Sequence, residues 1–118
     1  RSFLMQAKFR VLCISVLIAL AFYPQHSKAE GFTSADLLAW EKKSQDSYFW
    51  ASVTMAGVIA SQNRREAARC IDKWYSGDDQ IRQQRNEFIR KTMQQYPDYN
   101  PQATIFAIIR KTCGRLFE

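Results

Sequence analysis

"NPQATIFAIIRKTCG", residues 100–114, spells a helix together with its start and its stop. Asn100 is a residue type that accepts hydrogen bonds from the free N–H groups of a first helical turn. Pro101 suits the first helical position, where its missing N–H is not needed. Gly114 is a natural terminator. Between these signals Ala103, Phe106, Ile109 and Cys113 recur at spacings of three and four, and Ile105, Ile108 and Leu116 widen the apolar face. This spacing puts Cys113 on the buried side of the last helix.

The same punctuation recurs toward the N-terminus. "YPDYNP" breaks the chain, and the helix before it is expected over 78–96, with Asp78 and Asp79 at its positive end. Its stripe is Ile81, Phe88, Ile89, Met93 and Tyr96, with Arg85 completing the row. Ser76-Gly77-Asp78 is a turn. The segment around Glu66 to Cys70 reads as a short helix or a helical loop. Trp74 and Tyr75 read equally as core edge or as exposed anchors for a partner. A further helix is expected over 46–62, capped by Asp46 or Ser47. It is apolar or small almost throughout, and is therefore expected to be buried on most sides. Gly57 costs about 1 kcal/mol against Ala in a helix, and close helix approach through Ala56, Gly57 and Ala60 is the expected return. The first helix opens at Thr33 or Ser34, carries Leu37, Leu38 and Trp40, and fades near Ser44. Trp40 and Trp50 are expected in the core. Strand signals are nearly absent, so the expected fold class is all-α, a compact bundle of four to five helices.

The front of the chain is different. Lys8 and Arg10 precede the apolar run of residues 11–23, and Ser27 and Ala29 are small residues at the −3 and −1 positions of a cleavage site. Together these make a cleavable secretory signal peptide ending at Ala29. The run is shorter than the roughly 20 apolar residues a membrane span needs. Met5 reads as the translation start, with residues 1–4 upstream of it. Domain 30–118 is then a single exported unit in the periplasm, with no membrane association after cleavage. Of the 17 Lys and Arg, four (Arg1, Lys8, Arg10, Lys28) precede the cut, which leaves 13 against 11 Asp and Glu, a charge of +2. That is no electrostatic footprint for nucleic acid. Arg64-Arg65 and Arg90-Lys91 have Glu66 and Glu87 beside them and read as solvated helix faces.

Export also removes Cys13 and His26. Cys70 and Cys113 remain, and two cysteines in an oxidising compartment most often pair. The bridge would close a loop of roughly 44 residues, worth about 4 kcal/mol on chain-entropy reasoning. A chain this small commonly needs such a staple. Without histidine there is no Ser-His-Asp or Cys-His arrangement. There is no metal motif, no glycine-rich phosphate loop and hence no expected cofactor. Asp78 and Asp79 at a helix start read as cap and dipole partners rather than paired catalytic carboxylates. The chain is not expected to be an enzyme. A binder, an inhibitor or a chaperone fits best.

"GFTSADLLAW" (31–40), "FWASVTMAGVIAS" (49–61), "RCID" (69–72) and "IRQQRNEFIRKTMQQYPDYNPQATIFAIIRKTCG" (81–114) follow one another in an order and spacing that resemble the Rap/Tai family of periplasmic immunity proteins. These protect type VI secretion users from peptidoglycan amidase effectors. Leu37, Leu38 and Trp40, then Gly57, Cys70, Tyr96-Pro97, Ala103 and Cys113 occupy the family's marked places. Many members carry a further cysteine in the first helix, where this chain has Glu41 and Lys42. The resemblance implies an all-helical homodimer that binds a secreted amidase and occludes its active site. On loop position, the candidate partner-binding residues are Tyr75, Ser76, Gly77, Asp78 and Asp79 in one turn and Asp98 and Tyr99 in the other. Asp78 or Asp79 is the candidate to meet a catalytic histidine. The alternative function is a helical periplasmic chaperone or stress-response protein.

Overall fold

The computed structural model describes residues 31–117; the expected signal peptide, Cys13 and His26 lie outside the described residues. Five helices follow in order: α1 (Ser34–Leu38), α2 (Lys42–Asn63), α3 (Arg65–Tyr75), α4 (Asp79–Gln95) and α5 (Pro101–Cys113). There is no strand among the described residues, so the all-α expectation holds.

The end signals act much as their chemistry dictates. Thr33, not Ser34, caps α1: its hydroxyl accepts from Asp36 N–H while the Asp36 carboxylate accepts from Thr33 N–H, a reciprocal capping box. Ser34 is buried instead, its hydroxyl donating to the Tyr99 carbonyl at 2.9 Å. Asp78 caps α4 through Ile81 N–H, and Asn100 caps α5 through Gln102 and Ala103 N–H, with Pro101 in the first turn. Gly114 ends α5 at φ +84°, a conformation that glycine adopts without the steric cost of a Cβ.

α2 departs from expectation. It starts at Lys42 rather than at Asp46, and its cap residue, Glu41, makes no side-chain cap bond. The two expected caps are engaged elsewhere: Asp46 accepts from Arg90, and Ser47 donates back to the Lys43 carbonyl. α1 correspondingly ends at Leu38. Its exposed carbonyl end is met by Gln45, whose amide donates to the Leu38 and Trp40 carbonyls at 3.1 and 2.8 Å.

A single buried stripe runs along α2: Gln45, Phe49, Val53, Ala56 and Ala60. It faces Ala67, Ile71 and Tyr75 of α3, the helix it packs on most extensively, across the one-residue break at Arg64. The expectation of burial on most sides fails: only this stripe is buried, and the remaining residues of α2 are exposed or half-buried. Trp50, Met55 and Val58 lie on the outer face, Trp50 being 50% exposed. Trp40 is also outside the core, 44% exposed, against the rings of Phe32 and Tyr48. Ala56 and Ala60 make the close approach. A Cβ at Gly57 would meet Ile71 Cγ2 at an ordinary 3.7 Å, so no steric need for this glycine remains.

On α5 the buried stripe is Thr104, Ile105, Ile108 and Ile109, rotated from the expected one; Ala103 and Phe106 face outward. Three isoleucines bury more apolar area than Ala103 and Phe106, so their side turns inward. On α4, Ile89 and Met93 are buried as expected, but Phe88 and Tyr96 are exposed, and Asn86 and Arg90 take the inner positions.

Arg90 is a correction in its own right: it is not on a solvated face but 8% exposed. It donates to Gln45 Oε1 at 2.8 Å, Glu87 Oε2 at 2.6 Å and Asp46 Oδ1 at 2.5 Å, and its guanidinium lies over the Phe49 ring at 5.5 Å. The second long-range tie is covalent. Cys70 of α3 and Cys113 of α5 are disulfide-bonded, with their Cα atoms 5.5 Å apart.

Two predictions follow from these ties. Arg90→Ala should lower unfolding free energy by about 2–4 kcal/mol, because several charge-assisted bonds are lost together. Arg90→Lys should recover only part of it, since an ammonium lacks the planar fork. Urea unfolding measures both; a loss below the error of extrapolation in Arg90→Ala would show the cluster to be ornamental. Replacing both Cys70 and Cys113 by Ala should cost about 2–4 kcal/mol, read in the same experiment against the oxidised protein.

Candidate partner-binding turns

The candidate residues fall into two turns that α4 holds apart. α4 has 17 residues, and a helix of that length spans about 25 Å. The turn carrying Ser76, Gly77 and Asp78 stands before its first residue, and the turn carrying Asp98 and Tyr99 stands after its last. They do not make one site.

In the first turn, Ser76, Gly77, Asp78 and Asp79 are exposed, while Tyr75 is 1% exposed and belongs to the core. Of the two readings open for Tyr75, core is the correct one, and its place among the partner-binding residues is withdrawn. Its hydroxyl donates to Asn86 Oδ1 at 2.6 Å, joining α3 to α4. Trp74 is half-buried, with the Arg85 guanidinium 5.5 Å from its ring centroid and Arg85 Nε donating to its carbonyl. Both aspartates have local work: Asp78 caps α4, and Asp79 forms an ion pair with Arg82. The Asp79 side chain is nonetheless 86% exposed, so it remains open to a second partner. The turn rests on Ile81, whose Cδ1 would stand 2.8 Å from a Cβ at Gly77.

The second turn is pinned. The Tyr99 and Pro97 carbonyls accept from the N–H groups of Ser34 and Ala35 at 2.7 and 2.9 Å, which satisfies the start of α1. What it presents is aromatic: Tyr96 and Tyr99 are exposed, with ring centroids 5.5 Å apart, and Asp98 is exposed between them. Tyr96 was expected in the α4 stripe. Its position one turn after Met93 fits a core stripe, but Tyr96 is the cap residue at the end of α4, at φ −128° and ψ 63°, where the helical period no longer holds.

Among the described residues, no group of three or more His, Cys, Asp or Glu side chains is placed to hold a metal ion. No described helix is long and apolar enough to cross a membrane.

Burial pushes the Tyr75 phenol up to about 12, although the Arg82 charge pulls it down. The folded state thus resists an ionisation that the unfolded chain undergoes near 10. The resulting stability is fully present below pH 10 and is lost as pH rises toward 12, by about 2–3 kcal/mol in all. Tyr75→Phe should remove this component of the alkaline decline while costing stability at neutral pH through the stranded Asn86. Parallel alkaline slopes in the two proteins would refute the assignment.

Comparison with protein-family models, with curated proteins and with solved structures finds no match.

Proposed function

We propose that this chain is a periplasmic immunity protein that binds a type VI secretion peptidoglycan amidase and occludes its active site, presenting the α3–α4 turn. The observation that carries the proposal is the exposed acidic turn Ser76–Asp79, mounted between two helices of a disulfide-bonded bundle. An inhibitor of this kind needs no catalytic group of its own. It needs a turn that loses little conformational freedom on binding, because ordering costs subtract from affinity. Asp78 is held by its cap bond, and Tyr75, immediately before the turn, is fastened to α4. The resemblance in order and spacing of Leu37-Leu38, Trp40, Gly57, Cys70, Tyr96-Pro97 and Cys113 supports the partner class. We place the partner copy of the implied homodimer on the outer face of α2. That helix carries no charged side chain from Tyr48 to Asn63, so two copies would meet there without like-charge repulsion.

The test separates binding from its location. Co-expression with a periplasmic amidase of this effector class should protect cells, and the two proteins should co-purify. Asp78→Asn with Asp79→Asn removes both charges yet keeps a good helix cap, so affinity should fall about tenfold or more with thermal stability nearly unchanged. Failure to bind any such amidase, or suppression of aggregation of unrelated proteins with no amidase preference, would replace this reading with the chaperone one. Full affinity in the double variant would move the contact away from the α3–α4 turn.

A further inference from the structure

The outer sides of α4 and α5 leave a groove between them of about 750 Å³. Phe88, Tyr96 and Tyr99 line it from α4 and the turn that follows, and Ala103 and Ala107 line it from α5. Phe88, Tyr96 and Tyr99 are 54%, 49% and 61% exposed, and the Tyr96 and Tyr99 rings stand 5.5 Å apart, a large exposed aromatic surface for a small domain. Ala103 and Ala107 are one helical turn apart and present almost no side chain, so another backbone can come close. Beyond them a second hollow of about 520 Å³ carries Phe106 and Phe117.

The charge of this face is one-sided. Lys91 and Lys111 line the groove, and Arg110 and Arg115 line the adjoining hollow; no Asp or Glu lines either. Among the described residues none of these four cations is in an ion pair. The neighbouring acid Glu87 is engaged by Arg90, and Asp98, exposed between Tyr96 and Tyr99, does not line the groove. A second copy of the same face would meet its own positive charge here. That argues against self-association through this groove and for a partner of opposite sign.

We propose that the α4–α5 groove is a docking site for an acidic amphipathic helix of a protein partner. Its apolar anchors would seat among Phe88, Tyr96 and Tyr99, and its carboxylates would meet Lys91 and Lys111. The concave shape between two antiparallel helices favours a helix over a membrane surface, since anchors enter a hollow that a flat bilayer cannot fill. This inference stands apart from the α3–α4 turn and does not depend on the amidase reading.

The probe is a side-chain-stapled helical peptide of roughly 12 residues, about 18 Å long, with Leu at positions i, i+3, i+4 and i+7. It is made in two forms, one with Glu and one with Lys flanking the leucines. Amide chemical-shift mapping of the whole chain should show the Glu form perturbing the second half of α4 and α5, with the Lys form binding at least about tenfold more weakly. Added salt should narrow the gap. Lys91→Glu with Lys111→Glu should reverse the preference; both lysines are exposed, and unchanged thermal unfolding checks the fold. Equal binding of the two peptides, no binding of the Glu form, perturbations on another face, or capture by vesicles of anionic phospholipid without peptide binding would each overturn the proposal.

Discussion

Arg90 joins parts of the chain that local helix formation cannot bring together. From the middle of α4 its guanidinium reaches Gln45 and Asp46 at the start of α2 and lies over Phe49 one turn further on. Gln45 passes the connection to the carbonyl end of α1. One buried cation therefore sets the angle of the α1–α2 corner and the seat of α4 against it. Burying such a charge is costly unless every donor finds a partner. Here the cost is met: among the described residues no buried side-chain nitrogen or oxygen lacks a hydrogen bond.

The disulfide ties the other half. Arg90 gathers α1, α2 and α4, whereas Cys70 and Cys113 join α3 to the end of α5. The Tyr75–Asn86 bond links the two sets by crossing from α3 to α4. With 14 apolar residues in its buried core among the described residues, a domain of this size gains much of its definition from such directional ties, because apolar burial alone supplies a thin margin. The ties also bear on recognition. They hold the α3–α4 turn and the α4–α5 face on a rigid frame, so a partner would meet preformed surfaces.

The helix ends were legible wherever a short polar side chain had no better partner. Thr33, Asp78, Asn100, Pro101 and Gly114 all act locally, and local chemistry predicts them. Asp46 and Ser47 look like equally good caps but do not cap, because Asp46 has a stronger bond to Arg90. The buried faces were legible only in part. Spacings of three and four mark more apolar positions on α4 and α5 than a small bundle can bury. Phe88, Tyr96, Ala103 and Phe106 were therefore read as core, and they stand on the surface instead. That same surplus forms the groove.

By itself the sequence determined the all-α class, four of the helix boundaries that local caps write, the turn at residues 76–78 and the pairing of Cys70 with Cys113. The first three follow from backbone preferences, and the pairing from the expectation that Cys13 leaves with the signal peptide and the remaining two meet in an oxidising compartment. Only the tertiary structure decided which side of each helix faces inward, that Tyr75 is core, that Arg90 is buried, and that the two candidate turns lie about 25 Å apart. Those outcomes depend on what the neighbouring helices offer in area, partners and charge, and periodicity along one helix carries no information about its neighbours.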